Sequence, residues 1–270
     1  MIVDFHTHIF PDSLAQRAME QLKKNAHGEY FPVHDFTYEG LISAMDGFGI
    51  DVSVVMPVAT KPGHSMKNLE WGESIRSDRV VPFAGLFPNA EDWRENVRRA
   101  ARMGYKGIKL HPEYQNFVLD DEKMFPLYEY ALSEGLMILF HAGYDPIGSE
   151  PFKTDPKKFK RVLRAMRGGT IIAAHLGGQQ QWEEVEEELV GEDIYLDTSM
   201  GTEYYGRERF LNILKGHGAD RILFATDSPW SDAGKEIENL RSWGISEGDL
   251  DKIFFKNACA LLGIPERGRI

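Results

Sequence analysis

From one end to the other the chain alternates short β-branched or aromatic runs with longer amphipathic stretches. Eight runs read as strands, at residues 2–6, 52–57, 80–86, 105–110, 137–141, 170–175, 194–198 and 222–226. Each is an apolar run, the pattern of a strand buried on both faces of a parallel sheet. Between them apolar residues recur at helical spacing, for instance over 39–48, 91–103, 123–134, 155–166 and 182–190, and helices at 235–243 and 250–262 close the series. Gly49, Gly104, Gly135, Gly168 and Gly169 stand where a helix hands over to the next strand, the place for a left-handed residue. Eight strands each followed by a helix predict an α/β protein of the (β/α)8 TIM-barrel type rather than an open doubly wound sheet. Such a barrel takes about 250 residues, so the chain reads as a single domain over 1–270. The longest irregular stretch, 27–36, falls in the first strand-to-helix excursion and reads as a candidate lid.

Composition narrows the class of function. The formal net charge is −11, from 31 Lys+Arg against 42 Asp+Glu. That balance argues against nucleic acid or an anionic membrane as partner and leaves a small-molecule substrate. Cys259 is the one cysteine, so no disulfide forms within the chain. Neither a signal-peptide pattern at the N-terminus nor an apolar run of membrane-spanning length appears, and a cytoplasmic protein is expected.

The polar residues at the strand ends carry the chemistry. Histidines end strand 1 (His6, His8), strand 5 (His141) and strand 6 (His175), and Asp227 follows strand 8. In a barrel all these ends open on the face that holds active sites. Residues two apart on a strand point the same way, so His6 and His8 enter the mouth together. Imidazoles and a carboxylate converging on one point suit Zn2+ or a similar divalent ion. A lone histidine is usually only hydrogen-bonded, and His27, His34, His64 and His217 take that reading. By the same two-residue rule His111 faces inward with Lys109, as a substrate contact, an added ligand, or packing beside Pro112. Asp4, two before His6, is placed to orient a ligand imidazole. Asn89, Glu113, Tyr144, Thr198 and Ser199 follow strand ends where substrate would lie. Neither a dinucleotide fingerprint, a phosphate loop nor a nucleophile elbow is present.

The motifs Val3-Asp4-Phe5-His6-Thr7-His8, Gly107-Ile108-Lys109-Leu110-His111-Pro112, His141-Ala142-Gly143, Ala174-His175-Leu176-Gly177-Gly178 and Ala225-Thr226-Asp227-Ser228-Pro229-Trp230 together resemble the amidohydrolase superfamily, in its amidohydrolase-2 branch of hydrolases and non-oxidative decarboxylases. The resemblance runs from the first strand to the last. It implies that His6, His8, His141 and Asp227 bind a metal, and that His175 either binds a second ion or bonds the reacting water or substrate. Lys109 falls where two-metal members carry a lysine carbamate bridging the ions; the other reading is an ion pair with Asp4 or Asp227. One or two zinc ions are implied, and by analogy with related barrels a homo-oligomer.

Three functions follow as alternatives. In the first, a bound ion acidifies water and Asp227 takes its proton, with His175 assisting the attack on a small amide, lactone or ester. In the second, the same site decarboxylates a small carboxylic acid, which needs one ion and no carbamate. Lys109 favours hydrolysis. A metal-binding barrel without catalysis is the third and least economical, since every catalytic-type residue is present.

Overall fold

The computed structural model describes residues 1–266. Nine short strands, all paired in parallel, lie in two runs. The first holds β1 (Val3–Thr7), β2 (Val52–Val55) and β3 (Val80–Pro82); the second holds β4 (Ala84–Gly85), β5 (Gly107–Leu110), β6 (Met137–Phe140), β7 (Ile171–Ala173), β8 (Tyr195–Asp197) and β9 (Ile222–Leu223). The two runs belong to one ring. Only Phe83 separates β3 from β4, so the predicted third strand is a single stretch interrupted once. At the other seam Phe5 N–H donates to Phe224 O (2.9 Å), Asp227 N–H to His6 O (2.8 Å) and His8 N–H to Ser228 O (2.6 Å). The barrel of eight strand positions is closed by these bonds, and its first and last strands deliver His6, His8 and Asp227 side by side.

The helices occupy the predicted gaps. They are α1 (Asp12–Asn25), α2 (Tyr38–Phe48), α3 (His64–Ile75), α4 (Trp93–Arg102), α5 (Pro112–Gln115), α6 (Phe125–Ser133), α7 (Pro156–Ala165), α8 (Trp182–Glu188), α9 (Thr202–His217), α10 (Ala233–Ser242), α11 (Glu247–Asp251) and α12 (Asn257–Leu262). Local sequence explains their starts: Thr37 Oγ1 accepts from Gly40 N–H, Asp155 from Lys158 N–H and Asp232 from Gly234 N–H, each using an otherwise orphaned amide. Gly49, at φ 70°, ends α2 in the left-handed conformation and turns the chain into β2.

Residues 27–36 carry no helix or strand and lie between α1 and α2, within the excursion that follows β1. The stretch reaches across the mouth. Val33 N–H donates to Pro229 O (2.7 Å), and Tyr144 Oη to Glu29 (2.8 Å). Buried Tyr30 packs in a small cluster with Ala26 and Met200.

Two apolar layers hold the frame. The outer one packs helices onto strands; the inner one fills the barrel with Val3, Phe5, Val54, Phe83, Leu139, Ile172 and Leu223. Phe5 and Phe83 meet edge to face at 5.7 Å, and Gly107 opposes the Phe83 ring so closely that a Cβ there would lie 2.4 Å from it. Lys109 stands two residues further along the same strand, directly above this packed floor. Among the described residues, no helix is long and apolar enough to cross a membrane.

Candidate active site

Every predicted ligand reaches the C-terminal mouth of the barrel, and the structure sorts them into two groups. His6 and His8 come from the end of β1 and Asp227 from the turn after β9. The Nε2 atoms of the two imidazoles lie 3.1 Å apart. Asp227 Oδ1 is 3.4 Å from His6 Nε2 and 3.1 Å from His8 Nε2. Ligand atoms held tetrahedrally at about 2.0–2.1 Å from zinc are separated by about 3.4 Å, so this triad already has the spacing of a coordination sphere. Asp227 Oδ1 is buried and has no hydrogen-bond donor. A buried carboxylate oxygen without a donor, facing two imidazole edges, fits a divalent cation by the chemistry of its donor set. Backbone strain accompanies it: Asp227 sits at φ 59° and His175 at φ 57°, left-handed positions that non-glycine residues hold only when their surroundings impose them.

The tautomer of His6 is fixed from behind. Asp197, fully buried at the end of β8, accepts from His6 Nδ1 through Oδ2 at 2.9 Å. Its Oδ1 accepts from His175 N–H (3.0 Å), Ser199 N–H (3.0 Å) and the Ser199 hydroxyl. With Nδ1–H committed to Asp197, His6 presents its Nε2 lone pair to the mouth, the arrangement metal-ligating histidines use. Asp197 is absent from the sequence reading. Its signal is only an acidic residue closing the strand Tyr195-Leu196-Asp197. Asp4, expected in that orienting role, instead accepts from Thr226 N–H (3.0 Å) and Thr226 Oγ1 (2.6 Å) and stitches β1 to the last strand. A register irregularity between Asp4 and Thr7 separates it from His6. Its carboxyl is pushed up to about 7, burial outweighing these hydrogen bonds.

Burial sets the charge states around the mouth. It holds the His6 imidazole well below its ordinary value, with Lys109 adding to the effect. For Asp227 burial opposes ionisation, but His6 and His8 outweigh it and the carboxyl stays well below the usual carboxylate range. Lys109 is 1% exposed, with Nζ 3.0 Å from His6 Nε2. Burial lowers its ammonium to about 8, against the pull of Asp227, Asp197 and Asp145. It forms no ion pair within 4 Å with any carboxylate among the described residues, so the expected pairing with Asp4 or Asp227 is not made.

The second group is His111, His141 and Asp145. His111 stacks on His141 at 4.1 Å and 12°, and their edges meet Asp145 Oδ2 at 3.4 and 4.0 Å. His175 links the two groups: its ring centre is 5.6 Å from that of His6, and its Nε2 is 3.1 Å from His141 Nδ1. Other residues placed at the mouth by sequence do different work. Glu113 is buried against Lys153 (3.1 Å), Thr198 bonds Ala225 O (3.0 Å) within the frame, and Ser199 lies beneath His175. His34, read as incidental, donates or accepts at Ser228 Oγ (2.7 Å), one residue from Asp227.

The chain belongs to the amidohydrolase family, whose sequence profile matches residues 3–264. It is an enzyme of that metal-dependent family, with its His/Asp groups in place. Curated proteins searched by sequence give no match. Solved structures do. An uncharacterised TIM-barrel protein from Bordetella bronchiseptica superposes with TM-score 0.75 at 20% identity, covering 97% of this chain and 98% of its own. The 5-carboxyvanillate decarboxylase from Novosphingobium aromaticivorans, solved with manganese and 4-hydroxy-3-methoxy-5-nitrobenzoic acid, gives 0.72 at 14%, covering 98% and 96%. A protein provisionally named 2-pyrone-4,6-dicarboxylic acid hydrolase, from Pseudomonas putida, gives 0.69 at 17%, covering 98% of each. At such identities the likeness establishes the shared barrel.

Proposed function

We propose that this enzyme is a metal-dependent hydrolase of a small amide, lactone or ester. The observation that carries the reading is Asp227: a buried, ionised carboxylate whose Oδ1 lacks a hydrogen-bond donor and stands 3.1 Å from His8 Nε2. A divalent ion held by His6, His8 and Asp227 would acidify water and polarise the scissile carbonyl through its oxygen, making the carbon more electrophilic. Zinc matches the two-nitrogen, one-oxygen donor set. Asp227 then accepts the proton of the attacking water and returns it to the leaving group. His8, only partly buried, faces the open side from which substrate enters. His175 and His141, whose Nε2 and Nδ1 face each other at 3.1 Å, border the reacting water and substrate, and Asp197 holds His6 and the His175 backbone in fixed relation. His111, stacked on His141, borders the substrate space. Burial lowers the Lys109 ammonium to about 8, which eases the loss of the proton that carbamate formation requires, and intact mass of the native protein with and without bicarbonate reads that modification.

Non-oxidative decarboxylation is the second reading, supported by solved neighbours named as decarboxylases, among them the manganese-containing one. One experiment separates the two. Metal-reconstituted protein is given a panel of lactones, esters, amides and aromatic acids, and headspace carbon dioxide is measured beside acid release. Acid release without carbon dioxide supports hydrolysis; carbon dioxide from an aromatic acid overturns it in favour of the lyase. Metal content unaltered in His8→Ala and Asp227→Asn would sink both.

A further inference from the structure

The strap over the mouth is fixed at one end and loose at the other. From Asn25 onward its side chains reach the loops after five successive strands. Asn25 Nδ2–H donates to Tyr114 Oη after β5 (3.2 Å), the Tyr144 hydroxyl after β6 donates to Glu29 (2.8 Å), and Tyr30 Oη accepts from Gln179 and Gln180 after β7 (3.4 Å each). Tyr30 also packs on Met200 after β8, and Val33 and His34 meet Pro229 and Ser228 after β9. Residues 33–36 are gripped by backbone bonds and by the core. Val33 N–H donates to Pro229 O (2.7 Å) and Phe10 N–H to Phe36 O (2.9 Å). Fully buried Phe36 meets the rings of Phe10 and Trp230 edge-on at 5.6 and 5.5 Å. His34 Nδ1–H donates to Asp35 O (2.6 Å), and its Nε2 faces Ser228 Oγ at 2.7 Å.

Residues 27–32 have no such hold. Among the described residues their backbone bonds run only back to the end of α1, His27 N–H to Lys24 O (3.3 Å) and Glu29 N–H to Ala26 O (2.8 Å). Tyr30 is the one buried residue of the six, and Phe31 is 64% exposed. Where this half leaves α1, His27 and Gly28 are consecutive left-handed residues, at φ 49° and 85°, and both are exposed. A Cβ added to Gly28 would meet nothing within 4 Å, so the chain can turn there without disturbing any packing. Little keeps this half shut: one exposed phenol–carboxylate bond, and two amide contacts at 3.4 Å that are long for hydrogen bonds. A segment with few buried contacts and exposed bonds opens locally at low free energy.

We propose that residues 27–32 are a flap that opens at His27 and Gly28 while 33–36 stay on the Asp227 turn, with Tyr144–Glu29 as its latch and Tyr30 as its plug, and that traffic to the mouth passes through this opening. The fixed half leaves the turn that carries Asp227 undisturbed while the entrance changes. The flap rests on the mouth being the way into the site; its test uses metal-free protein, so its failure and that of the metal reading are separate. Thiols are placed beneath each half, Met200→Cys under Tyr30 and Ser228→Cys under His34, and their reaction with an aromatic disulfide reagent is timed. The native Cys259, 3% exposed, sets the background in wild type. Met200→Cys is expected to react through local opening, at a rate that low urea barely alters. Adding Tyr144→Phe or Glu29→Ala is expected to speed it by about 5–10-fold, the effect of losing one hydrogen bond, and both together no more than either. Ser228→Cys is expected to react only through global unfolding and to ignore the latch. Should Met200→Cys not fold, Ala26→Cys reads the same cluster. The proposal is overturned if the latch variants leave the thiol beneath Tyr30 unmoved, or if Ser228→Cys quickens alike, which would make the whole strap one moving piece. Zinc removal from loaded protein by EDTA is expected to quicken by the same factor in Tyr144→Phe, and unchanged removal overturns the flap as entrance. Protein that takes up no zinc sinks the function proposed above, and the thiol rates still decide the flap.

Discussion

Asp197 Oδ2 stands 2.9 Å from His6 Nδ1, and the same carboxylate accepts from the backbone N–H of His175 through Oδ1. One fully buried acid on β8 thus orients a ligand imidazole and anchors the start of the turn that carries His175. Replacement by asparagine at unchanged volume puts an amide donor within reach of His6 and frees the imidazole to adopt the other tautomer. Asp197→Asn is expected to lower metal affinity or turnover by about 10–100-fold, as such supporting carboxylates do. Zinc dissociation measured with a competing chelator decides it; affinity equal to wild type would remove Asp197 from this role.

Asp227 differs from Asp197 in touching the open mouth. Its oxygen both lies in the coordination triad and is the nearest base to a water entering there. Asp227→Asn keeps a carbonyl oxygen for the ion but cannot take a proton. Turnover is expected to fall by about 10²–10⁴-fold, with a smaller loss of bound zinc than in His8→Ala. Parallel loss of zinc and activity in the two variants would reduce Asp227 to a ligand.

Below the site, Gly107 exists for the Phe83 ring. A methyl group there would meet Phe83 Cε2 at 2.4 Å and the Met137 carbonyl oxygen at 2.9 Å, and the fully buried ring has nowhere to go. Gly107→Ala is expected to destabilise the folded protein by about 1–3 kcal/mol. Since Lys109 rises from this floor, metal affinity is expected to drop as well. Chemical denaturation of the apo and zinc-loaded forms measures both effects, and an unchanged midpoint would refute the packing argument.

These residues show what the amino-acid order alone reveals. The apolar runs and their helical partners make the barrel legible, because strands buried on both faces must be apolar throughout. The histidines at strand ends are legible for the same reason, as polar residues breaking an apolar run. Asp197 and Asp145 are not, since an acid after a strand is ordinary until the fold brings it beside His6 or His111. The helix α1 is harder to see because its stripe of Ala15, Ala18, Met19 and Leu22 is narrow and only Ala15 is fully buried, so the segment reads as largely polar. Asp4 misleads through the assumption of regular spacing, which the irregularity between Asp4 and Thr7 breaks. The interruption at Phe83 is invisible for a related reason: its apolar run continues unbroken while its backbone pairing changes neighbours.

His217, far from the mouth at the end of α9, provides the pH dependence. Its Nδ1 accepts from Gly191 N–H (3.2 Å), and its Nε2–H donates to Ile194 O (2.9 Å). Both nitrogens are satisfied only in the neutral ring, and burial lowers its value from 6.5. A histidine with a lowered folded value binds fewer protons folded than unfolded. Its contribution to stability is therefore complete above the unfolded value of 6.5 and is lost as pH falls through the window below it. The limiting slope is about 1.4 kcal/mol per pH unit for one proton. His217→Gln removes that titration while leaving the imidazoles of the mouth untouched, so the difference between the two proteins isolates it. Denaturant unfolding at pH 7.5 and pH 5 is expected to show wild type losing more stability on acidification than the variant. Equal losses would mean that the ring accepts its second proton in place, with the Gly191 contact giving way at no measurable free-energy difference.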